Sequence, residues 1–554
     1  MSQIPSSEIT VFTARRIRTM TPSAPVASAV AVRDGRILEA GTLDTLRPWL
    51  DAHPHRIDDR FRDHVLTPGF IDPHLHPTLG ALLLPCPFIT AMEWRLPDRT
   101  CAAVRGRDDY LARLAEIDAG MEGTEPLVTW GYHRIWHGEI GREALNAISG
   151  TRPIVLWQRS FHEVVANDAA IDWMGLDRAD LARYAQVDLA AGRFFETGLA
   201  LAMKGMGPFL HAPQRFIGGL EQVKRAIHLG GHTPIGELAY PLDDDAAEWG
   251  AVQAVFGGAD VPFRMQFVPR GAGRGTWSSA APEQELERVN AFAARSTDKL
   301  IFGNGVKLFA DGGFFAELMQ MQDPGFIDGH HGEWMMAPES IEALARVFWN
   351  AGKRIHIHCT GDLGVELALD ILEKLQWERP RFDHRFTIEH FGVSTPEQAR
   401  RIKTLGALVS ANVYYVHELG EAYWRASIGH ERASQMARLG SLAREGVPFA
   451  LHSDFTMAPA LPLNSAWVAV NRIGESGAVI GEGERISLDA AMRAITIDAA
   501  YVLGMENEVG SIRAGKKADF TVLEQDPWEV DPTALRDIPI WGTVFEGRPF
   551  PLAG

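Results

Sequence analysis

The sequence predicts an α/β protein in which a parallel (β/α)₈ barrel is combined with a small β-domain built from both ends of the chain. Two observations predict this fold class. Short β-type runs alternate with helical patterns through the middle of the chain, and both ends carry β-type runs broken by turns. A repeated strand–helix–strand order is typical of parallel sheets with crossover helices. At 554 residues, the chain has room for one large domain and an accessory domain.

The two ends of the chain predict the β-domain. The run ASAVAVRDGRILEAG alternates apolar and polar residues around Asp34 and Gly35, which is a strong hairpin signal. The runs ADFTVLEQDPWEV and IWGTVFEGRPF near the other end are similar in character. Because chain termini often lie close together, we expect residues 1–65 and 506–554 to form one domain. Two separate small β-domains would bury too little apolar surface to be stable alone.

The middle of the chain, residues 66–505, predicts the barrel. We count nine candidate strands, one more than an eight-stranded barrel contains, so either PLVTWGY or PIVLWQRS is expected to lie outside it. A stretch at about 160–250 breaks the alternation and predicts an inserted subdomain or lid. The nine candidates are VLTPGFIDPHLH, PLVTWGY, PIVLWQRS, VPFRMQFVP, NGVKLFADG, KRIHIHCTGD, HRFTIEHFG, GALVSAN and VPFALHSD.

Composition narrows the class of protein. A net charge of −17 argues against nucleic acid or an anionic membrane as a general partner. Three scattered cysteines are too few for a disulfide framework. The start of the chain lacks the pattern of a secretory signal, and no apolar segment reaches membrane-spanning length. We therefore expect a cytoplasmic enzyme that acts on a small molecule, either as a monomer or as a homodimer.

The stretch TPGFIDPHLHP places two histidines one residue apart at the end of a buried run. In a strand, residues i and i+2 point to the same side, so His74 and His76 project together while Leu75 points away. Neutral histidine is the commonest nitrogen ligand for zinc-like metals. A strand that alternates through a polar patch would give the same pattern, so this pair alone does not decide.

Further polar residues follow the later strands. These are Lys307, His356, His358, His390 and Asp454. In a (β/α)₈ barrel the active site is built at the carboxyl ends of the strands. Taken singly, His390 fits a core histidine, Asp454 a helix cap and Lys307 a buried ion pair. Taken together, imidazoles and a carboxylate arriving from four different strands predict a metal site.

Six stretches of the chain resemble the amidohydrolase superfamily, and within it the amidohydrolase 3 branch that contains N-substituted formamide deformylases. These stretches are LTPGFIDPHLH, GVKLFADGG, HCTGD, RFTIEH, GHERASQMARLGSLAREGVPFALHSD and VGSIRAGKKADFTVL. The resemblance implies a metal-bearing (β/α)₈ barrel and a composite β-sandwich formed by both termini.

The resemblance also implies a set of ligands. His74, His76 and Asp454 would hold one divalent metal, His358 and His390 would hold a second, and Lys307 would bridge the two as a carboxylated lysine. We expect one or two ions per chain, with zinc favoured by histidine-rich ligation over iron or manganese. His358 is chosen over His356 because the family places its ligand four residues before the Asp of a Gly-Asp pair.

This sequence departs from the family pattern at several positions. Cys359 and Thr360 stand where small aliphatic residues are usual, and Gly313 replaces a common Ser. The stretch SFHE replaces a common Asp-Gly-His, so that His162 is kept while the acid is lost. We expect these changes to affect the substrate rather than metal binding.

The implied reaction is hydrolysis of an amide-type C–N bond. A bound metal lowers the pKa of water from about 15.7 toward about 7 and so supplies hydroxide near neutral pH. Asp454 is the expected general base and proton donor to the leaving nitrogen, and His162 a hydrogen-bond partner of the carbonyl oxygen. A cyclic-amide hydrolase or deaminase, or an ester or lactone hydrolase, would use the same metal site, and a non-catalytic binding protein would not need it.

Aromatic residues near the expected site predict an apolar substrate, such as an N-substituted formamide or another N-acyl compound. We take Trp130, Phe161 and Tyr414 as substrate-binding candidates. Packing within the core is the alternative role for each of them, because aromatic side chains dominate protein cores.

Overall fold

The computed structural model describes residues 8–242, 244–273 and 281–552. Residues 1–7, at the start of the stretch expected to lack a secretory signal, lie outside the described residues. No helix in the described ranges is long and apolar enough to cross a membrane.

The strands in chain order are β1 Ile9–Arg18, β2 Val26–Arg33, β3 Arg36–Gly41, β4 His55–Pro68, β5 Phe70–Leu75, β6 Trp94–Arg95, β7 Thr100–Cys101, β8 Leu127–Tyr132, β9 Ile154–Gln158, β10 Glu163–Ala166, β11 Val187–Asp188, β12 Arg193–Phe195, β13 His232–Tyr240, β14 Arg264–Pro269, β15 Leu300–Phe302, β16 Gly305–Phe309, β17 Arg354–Cys359, β18 Thr387–His390, β19 Leu408–Ala411, β20 Phe449–Leu451, β21 Phe520–Leu523, β22 Ile540–Phe545 and β23 Arg548–Pro551.

The helices are α1 Leu43–Leu50, α2 Pro77–Leu83, α3 Arg107–Gly120, α4 Arg134–His137, α5 Arg142–Ile148, α6 Asp168–Trp173, α7 Arg178–Leu181, α8 Thr197–Leu210, α9 Pro213–Leu229, α10 Asp245–Phe256, α11 Pro282–Ala291, α12 Pro338–Asn350, α13 Asp362–Glu378, α14 Pro396–Leu405, α15 Tyr414–Ala426, α16 Gly429–Ser434, α17 Leu439–Glu445, α18 Pro462–Asn471, α19 Leu488–Ala494 and α20 Ile497–Leu503. Short 3₁₀ turns lie at Phe292–Arg295, Phe314–Ala316, Glu482–Glu484 and Pro532–Asp537.

Strands from both ends of the chain pair in one seven-stranded sheet of order β23-β22-β21-β4-β1-β2-β3. The expected hairpin joins β2 to β3, and its two turn residues, Asp34 and Gly35, have φ of 52° and 73° as a tight two-residue turn requires. Strand β4 pairs with β1 on one side and with β21 on the other, so the two ends of the chain meet there. The described strands of both ends hydrogen-bond as one continuous sheet, and the composite β-sandwich that the resemblance implies stays a prediction.

The central part has a mixed α/β fold with two parallel sheets, ordered β15-β14-β13-β5 and β16-β17-β18-β19-β20. Crossover helices such as α13, which the run VELALDILEKL predicted, connect the strands of the second sheet. A parallel bridge between Arg270 and Lys307 links the two sheets at one edge. At the other edge the main-chain N–H of Asp454 donates to the carbonyl of His74 at 2.9 Å.

The strand assignment from sequence was wrong in two places. Both PLVTWGY and PIVLWQRS lie outside the parallel sheets, as β8 and β9 of a separate five-stranded sheet of order β11-β12-β10-β9-β8. The strand that replaces them is β13, which falls inside the stretch 160–250 expected to be an insertion. All nine residues of β13 are buried, and a strand covered on both faces shows no alternation of apolar and polar residues to mark it.

A buried ion pair fastens the terminal sheet to the central part. The Arg264 side chain, at the start of β14, is fully buried and contacts the carboxylates of Asp519 and Glu546. Glu546 follows the last residue of β22, and Asp519 lies immediately before β21. Removing one partner of a buried pair leaves the other charge buried and uncompensated.

We expect Arg264→Met to lower the free energy of unfolding by about 3–5 kcal/mol, because the buried carboxylate of Asp519 loses its cation. Denaturant titration followed by circular dichroism measures the change. The matched control is Arg47→Met, which removes an exposed ion pair with Asp44 and should cost at most about 1 kcal/mol. Equal stability of the two variants would show that the ion pair does not hold the sheets together.

Candidate metal centre

The side chains predicted as metal ligands lie together at the carboxyl ends of neighbouring parallel strands. His74 is in β5 with His76 just after it, Lys307 is in β16, His358 in β17, His390 at the end of β18, and Asp454 three residues past β20. The register places His356 opposite Lys307, Phe309 opposite His358 and Cys359 opposite His390, so the candidate ligands step toward the carboxyl ends from one strand to the next. All six candidates line one cavity.

One cluster contains His74, His76 and Asp454, whose candidate ligand atoms all lie within 4.8 Å of one another. The Oδ1 atom of Asp454 is 3.2 Å from Nε2 of His76 and 3.7 Å from Nε2 of His74. The Nε2 atom of His74 is buried and has no hydrogen-bond partner among the described residues. A buried nitrogen lone pair without a partner is costly unless it is used, and a metal ion would use it.

Buried carboxylates orient both imidazoles of this cluster. His74 donates from Nδ1 to Glu389 at 2.7 Å, and His76 donates from Nδ1 to Glu237 at 3.1 Å. An ionised carboxylate only accepts, so each Nδ1 carries a proton. Nε2 of His74 keeps its lone pair, whereas Nε2 of His76 lies 3.2 Å from Asp454 and carries a proton that a metal would displace. Metal-binding histidines are oriented in this way in many proteins. The Thr78 hydroxyl and main-chain N–H also donate to Glu237 and fix its position.

A second group contains His358, His390 and His452. The His358 and His390 ring centroids are 4.3 Å apart, and Nε2 of His358 is buried with no hydrogen-bond partner among the described residues. His452 lies on the other side of His390, with its Nε2 atom 3.3 Å from Nδ1 of His390. Candidate ligand atoms of His74, His390 and His452 also lie within 4.8 Å of one another.

His452 was not predicted from the sequence, although a signal for it existed. It stands two residues before Asp454 in the stretch LHSD, at the i, i+2 spacing that drew attention to the pair at the end of β5. The Ser410 hydroxyl lies 2.7 Å from Nδ1 of His452 and fixes the ring. His356 is not in the cavity lining, as expected, and donates from Nδ1 to Glu389 at 2.6 Å.

Burial governs the charges at the site. It lowers the pKa of His74, His358 and His390 well below the ordinary imidazole value, and neighbouring cationic side chains add to the effect, so these rings are neutral. Burial alone would raise the pKa of Asp454, but the hydrogen bond and charge of His76 outweigh it, and the pKa is lowered. Neutral imidazoles and an ionised carboxylate are the forms that bind a divalent metal.

Lys307 is almost completely buried, and its Nζ atom has no hydrogen-bond partner among the described residues. Burial lowers the pKa of this amine to about 8. About a tenth of the amine is therefore unprotonated at pH 7, far more than for an ordinary lysine.

His162 also lines the cavity, and the acid missing from its motif is supplied from elsewhere in the chain. Its Nδ1 atom donates to the carboxylate of Glu196, 34 residues later, at 3.0 Å. The neighbouring Glu163 is turned away and pairs with Arg193. The His162 and His358 ring centroids are 5.6 Å apart, so this histidine stands beside the candidate metal ligands.

The cavity encloses about 950 Å³, including its open mouth. Of the three aromatic candidates, Phe161 lines it, whereas Trp130 and Tyr414 do not. Trp130 is fully buried and packs against Phe161 from behind, with ring centroids 6.3 Å apart. Trp130 and Tyr414, predicted as substrate contacts, thus lie outside the lining of this cavity. Apolar side chains, together called the apolar wall, also line the cavity: Leu79, Trp157, Leu199, Ala200, Met203 and Leu242.

The fold and this site agree with comparisons to known proteins. A model of the amidohydrolase family matches residues 62–550, so the chain belongs to that family. It is a metal-dependent hydrolase that acts on carbon–nitrogen bonds, and the histidine-rich cluster is where the family's divalent metal fits in this structure.

Individual relatives are distant but match over nearly the whole chain. The protein LONG AFTER FAR-RED 3 of Arabidopsis thaliana is 27% identical over 93% of this chain and 86% of its own length. An N-substituted formamide deformylase of Arthrobacter pascens is 24% identical over 96% of both chains. The crystal structure of an uncharacterized metal-dependent hydrolase from Pyrococcus horikoshii superimposes with a TM-score of 0.71, at 19% identity, over 95% of this chain and 99% of that chain, which shows the shared fold.

The protonation of His76 generates a prediction about metal affinity. Burial would lower the pKa of His76, but its contacts with Asp454 and Glu237 outweigh it and raise the pKa to about 9. A metal ion must displace the proton on Nε2, so apparent affinity should rise about tenfold per pH unit up to about pH 9 and then level off. Competition of the metal-free protein with a chelator for Zn²⁺ measures this slope. A flat profile between pH 6.5 and 8.5 would remove His76 from the ligand set.

Proposed function

We propose that the protein hydrolyses the amide-type C–N bond of a small apolar N-acyl compound, such as an N-substituted formamide, at a centre that holds Zn²⁺. The observation that carries this proposal is the cluster of His74, His76 and Asp454 facing a cavity with an apolar wall. Histidine nitrogens together with a carboxylate suit zinc better than harder cations. The formamide deformylase of Arthrobacter pascens, similar over nearly its whole length, supports the substrate class.

We further propose that the two parallel sheets are parts of one (β/α)₈ barrel. The strands supply eight positions around such a barrel when β15 and β16 count as one. The Arg270–Lys307 bridge and the Asp454–His74 hydrogen bond join the sheets at their two edges. In this architecture catalytic groups gather at the carboxyl ends of the strands, where the candidate ligands lie.

The residues divide the chemistry among them. When bound, a divalent metal lowers the pKa of water and polarises a carbonyl group. Asp454 accepts a proton from the attacking water and returns it to the leaving nitrogen, a role for which its lowered pKa keeps it ionised. His162 binds the carbonyl oxygen of the substrate. The apolar wall that includes Leu199 and Met203 holds the N-substituent and excludes water.

Lys307 is the residue that decides between one metal and two. A protonated amine would repel divalent cations strongly, whereas the carbamate formed with CO₂ is an anion. Carbamate formation requires an unprotonated amine, and the lowered pKa of Lys307 provides one. We propose that Lys307 is carboxylated and bridges a metal held by His74, His76 and Asp454 to a second held by His358 and His390.

Asp454→Asn tests the assignment of the base. General acid–base groups contribute about 10²–10⁴-fold, so we expect turnover to fall by at least 100-fold while the protein stays folded. The assay uses N-substituted formamides, cyclic amides, amino-purines and esters, and it measures the carboxylate, ammonia or alcohol released. The exposed Asp63→Asn is the control variant and should keep full activity. Normal turnover by Asp454→Asn would exclude Asp454 as the base, and activity on esters or amino-purines alone would replace the proposed substrate class.

Lys307→Ala tests the bridge. We expect wild-type protein to contain two equivalents of zinc and the variant one, because the vacated position no longer supplies an anion between the ions. Elemental mass spectrometry measures the metal, and short carboxylic acids added to the variant should restore part of the activity. A variant that keeps two metals and full activity would make Lys307 a structural residue.

A further inference from the structure

Three residues that are far apart in the chain meet beside the candidate metal ligands. The Nδ1 atom of His162 donates to the carboxylate of Glu196, and the main-chain N–H of Gly313 lies 3.4 Å from the same carboxylate. The main chains of the first two residues also meet, because the N–H of Glu196 donates to the carbonyl of His162 at 3.0 Å. The imidazole is thus fixed by a side chain and by the backbone that carries it.

Gly313 is the position that admits the ring. A methyl group built on its Cα would lie 2.4 Å from Cδ2 and 2.6 Å from Cγ of His162, well inside any normal contact. The backbone itself does not require glycine, since φ is −64° and ψ is 136°, values that any residue adopts. The space, not the conformation, therefore accounts for glycine here.

The backbone around the histidine is strained where the ring is placed. Phe161 and Glu196 both have positive φ, at 65° and 45°, which costs free energy for residues with a side chain. Such strain persists where the surroundings fix a functional geometry. Phe161 directly precedes His162 in the chain, and Glu196 holds the His162 ring through Nδ1.

The free edge of the ring faces the cavity. Nε2 of His162 makes no hydrogen bond to a described residue, and the side chain keeps 16% of its surface accessible. The Glu196 carboxylate accepts the hydrogen bond of Nδ1 at 3.0 Å, and an anion in this position stabilises a ring that carries a proton on both nitrogens and can donate from Nε2.

We propose that Glu196 and Gly313 are positioning residues that aim Nε2 of His162 at the acyl oxygen of the bound substrate as a hydrogen-bond donor. This inference rests on the proposed hydrolysis of an acyl compound and deepens it. Glu196 then takes the place of the acid that the SFHE stretch lacks. Gly313 has a steric role, which is to leave room for the His162 ring.

A double-mutant cycle tests the dependence. His162→Ala should lower kcat by about 100-fold or more, the typical cost of losing one donor to a developing oxyanion. Glu196→Gln and Gly313→Ala should each lower kcat by roughly 10–100-fold in wild type, as loss of an orienting partner does. In the His162→Ala background each should cost less than about threefold, because there is no ring left to position. Independent, multiplicative losses would overturn the proposal.

Two controls separate positioning from general damage. Glu163→Gln alters the buried glutamate next to His162 that pairs with Arg193 outside the site, and its effect should be the same in both backgrounds. Gly218→Ala adds a methyl group where no atom lies within 4 Å, and it should change nothing. A Glu163→Gln effect that also vanished with His162 would mean that the cycle reports folding.

The position of the ring gives a readout that does not depend on turnover. Crystal structures of Glu196→Gln and Gly313→Ala should show the His162 ring moved from its wild-type position, by at least about 1 Å in the second variant. An unmoved ring in both would overturn the proposal. The cycle uses whichever acyl class, amide or ester, the wild type hydrolyses. If the wild type hydrolyses esters but not amides, the proposed function is overturned, and the double-mutant cycle measured on esters still decides this inference. Hydrolysis of neither class would overturn both.

Discussion

The candidate site depends on one buried carboxylate. Glu389 is fully buried and accepts hydrogen bonds from His74 at 2.7 Å and from His356 at 2.6 Å, and Nδ1 of His452 lies 3.7 Å away. Its neighbours come from β5, from β17 and from the residue that directly follows β20. Burial would raise the pKa of Glu389, but the charge of Lys307 and the His356 contact outweigh it, so the carboxylate stays ionised. A single negative charge thus holds together a centre made of groups that would otherwise repel one another or lose their solvation.

This arrangement explains why the predicted metal ligands could be found from the sequence, whereas the carboxylates that orient them could not. His74 and His76 have the i, i+2 spacing that turns two side chains of one strand to a common face, and His358 and His390 stand near the carboxyl ends of later strands. That is local information. Glu237 and Glu196 support ring nitrogens 161 and 34 residues away, and such pairings depend on how the strands are arranged in space. The sequence around a buried glutamate does not indicate which histidine it contacts in the folded protein.

The fold shows the same difference between local and long-range information. The hairpin at Asp34 and Gly35 and the helix α13 were predictable because turn residues and helical periodicity act within a few residues. Strand β13 was missed because burial on both faces removes the alternation that identifies a strand. The aromatic candidates depend on long-range packing in the same way. Trp130 packs behind Phe161, and only the three-dimensional layering decides which of two neighbouring rings faces the cavity.

The pairing of β4 with β21 has a consequence for how the chain is made. Strand β4 ends at Pro68 and its partner β21 begins at Phe520. One edge of β4 therefore stays without its partner strand while the roughly 450 intervening residues are synthesised. During that time β4 presents unpaired main-chain groups to any other extended segment. At about 5–20 residues per second this interval lasts on the order of half a minute or more, long enough for contacts with chaperones or with neighbouring nascent chains. The sheet that carries none of the candidate ligands is thus the last one in the described chain to complete its hydrogen bonding.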